Sequence, residues 1–217
     1  MKFVDLGLID YQKAYDLQRS AVSDVIAGGE EQVFLCEHPS VLTLGRMSDE
    51  RYILAPREDL AARGIEVLSI DRGGEVTLHA PGQLVVYPIL DLKKYGKDLK
   101  QYMFQLEETG IGFLKSFGID SIRNPGKTGV WSEGAGGHKK VISIGVGVKK
   151  WVSFHGMGIN VSTDLKLFSL INPCGLGAPM ASVESLTGRP CGLKKAKEVL
   201  IEKIKFNFIE GKFQYNT

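Results

Sequence analysis

A chain of 217 residues, 43% hydrophobic and 24% charged, can bury a core of its own, and a net charge of +2 gives no electrostatic case for nucleic acid as a partner. No stretch is apolar enough to span a bilayer, and the N-terminus, Met1-Lys2-Phe3-Val4-Asp5, turns polar too soon for a secretion signal. Three cysteines (Cys36, Cys174, Cys191) are too few and too far apart for a disulfide framework, so a reducing, cytoplasmic setting is expected.

Residues 11–27 carry apolar side chains at helical spacing and run into Gly28-Gly29, which predicts a helix and its stop. Short apolar runs at 32–37 and 41–45 read as strands, with His38-Pro39-Ser40 as the turn between them. A short helix is expected over 57–63, closed by Gly64. Residues 66–71, 75–79 and 83–90 read as strands separated by Gly73-Gly74 and Ala80-Pro81-Gly82. The longest helical pattern covers 98–117 and meets Gly118. After Gly129-Val130-Trp131 and a stretch of small residues, runs at 140–148 and 151–161 flank Lys149-Lys150 as a hairpin. Period-two geometry puts Lys140, Ile142, Ile144, Val146 and Val148 on one face. A basic amphipathic helix is expected from 193 to about 208. The connections in the β-rich middle are of hairpin length. The pattern predicts one α/β (α+β) domain over residues 1–217, with three helices flanking a mixed sheet rather than a regular βαβ series.

Cys174 is the foremost chemical candidate. It lies in Asn172-Pro173-Cys174-Gly175, where a Pro ends regular structure and a Gly frees the backbone, so a thiol can be presented beside backbone N–H groups. Cys36, in an apolar run, and Cys191, ahead of a helix, read as inert. A second constellation is Arg72-Gly73-Gly74-Glu75-Val76-Thr77-Leu78-His79-Ala80-Pro81-Gly82-Gln83. Its glycines allow close backbone approach, and its Arg, Thr and His make either a polar pocket wall or an ordinary Gly-Gly hairpin. A third is Lys140-Val141-Ile142-Ser143-Ile144-Gly145, in which Lys140 is either a partly desolvated base or a strand-end lysine; Lys139 points the other way. In Phe154-His155-Gly156-Met157-Gly158, two glycines inside a strand mark either a bulge or a place where something approaches the backbone. No Walker or dinucleotide loop, no G-x-S-x-G elbow and no C-x-x-C or H-x-x-x-H spacing is present, so no cofactor and no metal is expected.

Together these strings resemble the lipoyl-pathway octanoyltransferases (octanoyl-[acyl-carrier-protein]:protein N-octanoyltransferases, the lipoyltransferase B type), from about Tyr11 to Gly188. The resemblance implies the fold of the biotin and lipoate protein ligase catalytic domain. It implies an octanoyl group taken from acyl carrier protein onto Cys174 as a thioester, then passed to a lysine of apo lipoyl domains or of the glycine-cleavage H protein. By the same resemblance Lys140 is the catalytic partner of Cys174. The substrate is bound by Arg72, Gly73, Gly74, Glu75, Val76, Thr77, Leu78 and His79, by Ser143, Ile144 and Gly145, and by Gly156, Met157 and Gly158. Position 78 is Leu where the family usually has an aromatic, and position 80 is Ala where Gly is common. Both are expected in the pocket wall, where they bear on pocket width. Two rivals remain on the residues alone: an ATP-dependent lipoate or biotin ligase of the same fold, and a non-catalytic module whose basic C-terminal helix (Lys194, Lys195, Lys197, Lys203, Lys205) docks an acidic carrier.

Overall fold

The computed structural model describes residues 1–133, 137–172 and 179–210. Its described strands are β1 (Lys2–Leu8), β2 (Gln32–Glu37), β3 (Val41–Leu44), β4 (Glu66–Ser69), β5 (Val76–His79), β6 (Gln83–Ile89), β7 (Ser121–Asn124), β8 (Lys127–Ser132), β9 (Lys139–Lys149) and β10 (Val152–Asn160). Its α-helices are α1 (Tyr11–Ile26), α2 (Arg57–Ala62), α3 (Leu99–Lys115), α4 (Val183–Thr187) and α5 (Leu193–Lys205). Seven strands form one sheet in the order β1-β2-β6-β10-β9-β8-β7; β4-β3-β5 form a second. Only β1–β2 in the large sheet and β3–β4 in the small one pair in parallel, so the sheets are mixed, as the hairpin-length connections predict.

The uninterrupted apolar run of β6 is explained by cover on both faces. Leu84 and Val86 pack with α3 and α5, whereas Val85, Tyr87 and Ile89 pack against α1. Each such side chain, fully buried, stabilises the fold by roughly 1.5–3 kcal/mol. The small sheet encloses a third core with Leu60 of α2 and the segment Leu165–Leu170. Helix starts follow the expected chemistry. Asp10 accepts from the Lys13 amide at α1, and Asp98 accepts from the Lys100 and Gln101 amides at α3.

The structure departs from the sequence expectations in several places. His38-Pro39-Ser40 does link two strands as expected, but those strands belong to two different sheets. Three further strands, β1, β7 and β8, and the helix α4 add to the expected elements. Strand β7, Ser-Ile-Arg-Asn, has a single apolar residue, and β1 carries a register shift between Asp5 and Gly7. The last helix ends at Lys205 and continues as a π-helical turn, Phe206–Glu210.

The most consequential departure is in β9. Val130 pairs with Ile142 but Trp131 pairs with Lys140, so β9 holds one extra residue opposite β8. Cross-strand partners share a face and consecutive residues do not. Lys140 therefore faces the Trp131 side, opposite to Ile142, and the expectation of a common face for Lys140 and Ile142 is overturned by this bulge. Beyond the bulge, the same face presents Ser143 and Gly145.

Candidate active site

The Arg72-Gly73-Gly74 turn is docked onto β9. The Gly73 amide donates to Val146 O at 2.8 Å. A Cβ on Gly145 would meet Gly73 O at 2.9 Å and Arg72 Cδ at 3.1 Å, so only glycine lets the turn lie this close. Arg72 is buried, not an ordinary surface arginine. Its Nη2 donates to Thr43 O (2.7 Å) and Thr43 Oγ1 (2.9 Å), and its Nη1 donates to Gly73 O (3.0 Å). The guanidinium thus ties the turn to β3.

Downstream, His79 heads a buried polar chain. Its Nδ1 donates to Gln83 Oε1 at 2.7 Å. Gln83 Nε2 donates to Leu78 O and to Asn160 Oδ1, and Asn160 Nδ2 donates to Ala181 O. Burial, with His38 nearby, drives the His79 pKa down to about 3, so the ring is neutral with Nε2 as an acceptor. Tyr11 stacks on it at 5.9 Å.

Asp71 anchors a second cluster. It accepts from His155 Nε2 (3.0 Å) and Tyr15 Oη (2.9 Å), and Tyr15 stacks on His155 at 5.5 Å. Burial pushes the Asp71 carboxyl up, but these hydrogen bonds outweigh it and hold its pKa below the usual carboxylate range. Burial lowers the His155 pKa despite Asp71. His155 holds φ 55, a left-handed backbone that ordinary side chains rarely adopt, and its amide donates to Gln18 Oε1 (2.8 Å).

Lys140 is buried, at 6% exposure, on the bulged strand. Its Nζ lies 5.1 Å from the centre of the Trp131 ring. Its backbone is tied as well. The Lys140 amide donates to Pro179 O (2.9 Å), and the Ala181 amide donates to Lys140 O (2.9 Å). Lys139, by contrast, is exposed.

These parts border one cavity of about 430 Å³. Of the residues singled out in the sequence, residues 72–77, His79, Lys140, residues 143–145 and residues 156–158 line it. Both faces of β9 and β10 contribute. The cross-strand pair Ser143–Gly158 lies on one face and Ile144–Met157 on the other. The glycines also serve the fold itself. A Cβ on Gly158 would meet the Gln83 amide at 2.9 Å, and one on Gly156 would clash with Val86 O and Pro88 Cδ of β6.

Leu78 is a correction. It does not border the cavity, and it is fully buried in the core of the small sheet together with Ala80. Neither belongs to the pocket wall, so the Leu78 and Ala80 departures from the family pattern concern packing rather than pocket width. Cys174 lies outside the described residues. Sequence reasoning passed over Trp131, Tyr87, Lys127, Met103 and Met180, which also border the cavity, and left His155 out of the binding set although it lines it. Trp131 and His155 sat inside strings already marked by glycines; the others carried no local signal. Met47 and Leu99, at 68% and 44% exposure, also line it and reach solvent.

The lipoyl protein ligase A/B catalytic domain family matches residues 10–205. An octanoyltransferase of Geotalea uraniireducens (strain Rf4) is 46% identical over 190 residues, covering 87% of this chain and 84% of its own. One from Syntrophotalea carbinolica is 44% identical over 199 residues, covering 91% and 89%. Among solved structures, a putative lipoate protein ligase from T. acidophilum superposes with a TM-score of 0.70 at 16% identity, covering 95% of this chain and 84% of its own. A lipoate-protein ligase A bound with ATP gives 0.68 at 16% identity, covering 94% and 83%. At those identities the structural likeness speaks for the fold alone.

Proposed function

Because this chain belongs to the octanoyltransferases of the lipoyl protein ligase A/B catalytic-domain family, we propose that it takes an octanoyl group from octanoyl-acyl carrier protein onto Cys174 and delivers it to the target lysine of apo lipoyl domains, the glycine-cleavage H protein included. The observation that carries this reading is the cavity with a buried lysine, Lys140, in its wall. We read the whole chain as one catalytic domain. We place the enzyme in the cytoplasm, a setting supported by its two described cysteines, Cys36 and Cys191, which are free and buried. No helix among the described residues is long and apolar enough to cross a membrane.

In the first half-reaction the Cys174 thiolate attacks the donor thioester carbonyl. The carrier thiolate leaves and takes a proton from the Lys140 ammonium. In the second, the neutral amine of the acceptor lysine attacks the Cys174 thioester and gives its proton to the Lys140 amine. Cys174 then leaves as the thiolate, and the thiolate–ammonium pair is restored. An ammonium near the thiol favours its ionised form at neutral pH. Seven chain carbons beyond the carbonyl, at ~0.8 kcal/mol each, offer on the order of 5 kcal/mol of acyl binding in an apolar cavity. Arg72 acts by tying the Gly73-Gly74 turn to β3, while the Gly73 amide holds the turn on β9, and His79 serves as a neutral acceptor on the wall.

Intact-mass measurement tests this. Mixing with octanoyl-carrier protein should add one octanoyl group to the enzyme, and an apo lipoyl domain should remove it. Cys174→Ala should show no adduct; an adduct formed at an undiminished rate overturns the nucleophile. Lys140→Ala should slow both steps, whereas Lys139→Ala should not. Turnover that requires ATP would overturn thioester transfer altogether.

A further inference from the structure

The indole of Trp131 attends two cations. Lys140 Nζ lies 5.1 Å from its ring centre and Lys127 Nζ 5.7 Å. Trp131 is buried, at 2% exposure, and borders the cavity. Three backbone devices bring its face to Lys140. The β9 bulge makes the two residues cross-strand partners. Trp131 Nε1 donates to Lys127 O at 3.2 Å, which fixes the ring. Gly129, at φ 114, leaves space where a Cβ would stand 2.9 Å from Lys140 Cε.

We propose that Trp131 is a positioning residue for acyl transfer, its indole face holding the Lys140 ammonium in the cavity. The inference rests on the reading of Lys140 as the proton-transfer group. An ammonium brought out of water loses solvation, and an aromatic face replaces part of it by attraction to the ring quadrupole. Such a face holds the charge without itself accepting an N–H bond. A carboxylate in the same place would hold the proton and resist giving it up.

Other charges bear on Lys140 from each neighbouring element. Lys127 of β8 shares the ring and opposes the ammonium by like charge. Glu107 of α3 accepts from the Gly129 amide at 3.0 Å and pairs with Arg123 of β7 at 3.2 Å. Lys139 and His138, the residues preceding Lys140, are exposed. On β10, His155 pairs with Val146, six positions along β9 from Lys140.

The test is the single-turnover rate of octanoyl transfer from carrier protein, measured against pH, for Trp131→Leu, Trp131→Phe and Lys127→Met. Loss of the aromatic face weakens the ammonium. The basic limb of the profile should therefore move to lower pH by about half to one unit in Trp131→Leu. Trp131→Phe keeps a ring and should restore most of the limb, although both variants lose buried volume and melt lower. Lys127→Met removes a like charge and should move the limb upward. A Trp131→Leu profile scaled down equally at every pH, with its limb in place, would reduce Trp131 to a packing residue and overturn the proposal. If Trp131→Leu does not fold, Trp131→Met takes its place; a limb left unmoved in it overturns the proposal. Wild-type rates in Lys140→Ala would instead remove the reading beneath it, so the two failures are told apart.

Discussion

Replacing Gly145 by Ala adds one methyl group at the point where the Arg72-Gly73-Gly74 turn lies on β9. The new Cβ would stand 2.9 Å from Gly73 O and 3.1 Å from Arg72 Cδ, and Gly73 O belongs to backbone that cannot swing aside alone. The turn must lift, which breaks the 2.8 Å bond from the Gly73 amide to Val146 O. The lost hydrogen bond costs about 1 kcal/mol and the overpacking about 1–3 kcal/mol more. Together these predict a destabilisation of about 2–4 kcal/mol, or roughly 4–16 °C in melting temperature for a chain this size. Gly112→Ala is the matched control. Gly112 lies inside α3, and its added Cβ would meet only the Lys203 side chain, Cδ at 3.7 Å and Cγ at 3.9 Å, which are ordinary contacts. That variant should gain about 0.5–1 kcal/mol from helix propensity. Thermal melts followed by circular dichroism, with single-turnover acylation on the same samples, give both readouts. Gly145→Ala melting at or above wild type, with wild-type acylation, would refute the claim that the turn needs this glycine.

The remaining expectations are as follows. His79 stays neutral in the fold down to about pH 3, while in the unfolded chain it takes a proton below ~6.5. Its folded pKa is depressed, so the stability it confers is full above ~6.5 and falls toward pH 3, by up to about 1.4 kcal/mol per pH unit. Urea unfolding at pH 7 and pH 4 should show a shallower acid loss in His79→Asn than in wild type. Burial raises the thiol pKa of both Cys36 and Cys191, so under native conditions at pH 8 both should resist iodoacetamide while Cys174 reacts, as read by peptide mass. Cys36→Ser and Cys191→Ser should keep octanoyl transfer within a few-fold of wild type. Asp71→Asn removes the charge that Tyr15 and His155 share and should lower the melting temperature without preventing Cys174 acylation.

Much of this fold was legible in the sequence because its strands and helices are punctuated by residues with a single conformational meaning. Gly28, Gly64 and Gly118 stop α1, α2 and α3 where the apolar periodicity ends, each at positive φ. The hairpin of β9 and β10 lies where the alternation predicts one, but it turns at Lys150-Trp151, both at positive φ, one residue later than Lys149-Lys150. What escaped was information that only pairing supplies. The bulge in β9 leaves no mark in Lys139-Lys140-Val141-Ile142; it appears only when Val130 and Trp131 of β8 are laid opposite. Strand β7 owes its existence to a neighbouring edge rather than to its own apolar content. At the site, glycine-rich strings pointed to cavity-lining segments, since close approach demands glycine whichever partner approaches. Leu78 went astray because β5 serves both the cavity and the core of the small sheet, and Leu78 is buried in that core.

The backbone ties at Lys140 give the enzyme a built-in reporter. Its amide proton is donated to Pro179, and its carbonyl receives the Ala181 amide, so these two protons are shielded only while the 179–181 segment lies along β9. The chain before it is tied too, by the Asn172 amide to Tyr52 O at 2.7 Å. Deuterium uptake at residues 140, 172 and 181 therefore times the opening of these described ties, without a label anywhere near the chemistry. Compared before and after acylation, those three amides register whether a loaded thioester alters that opening.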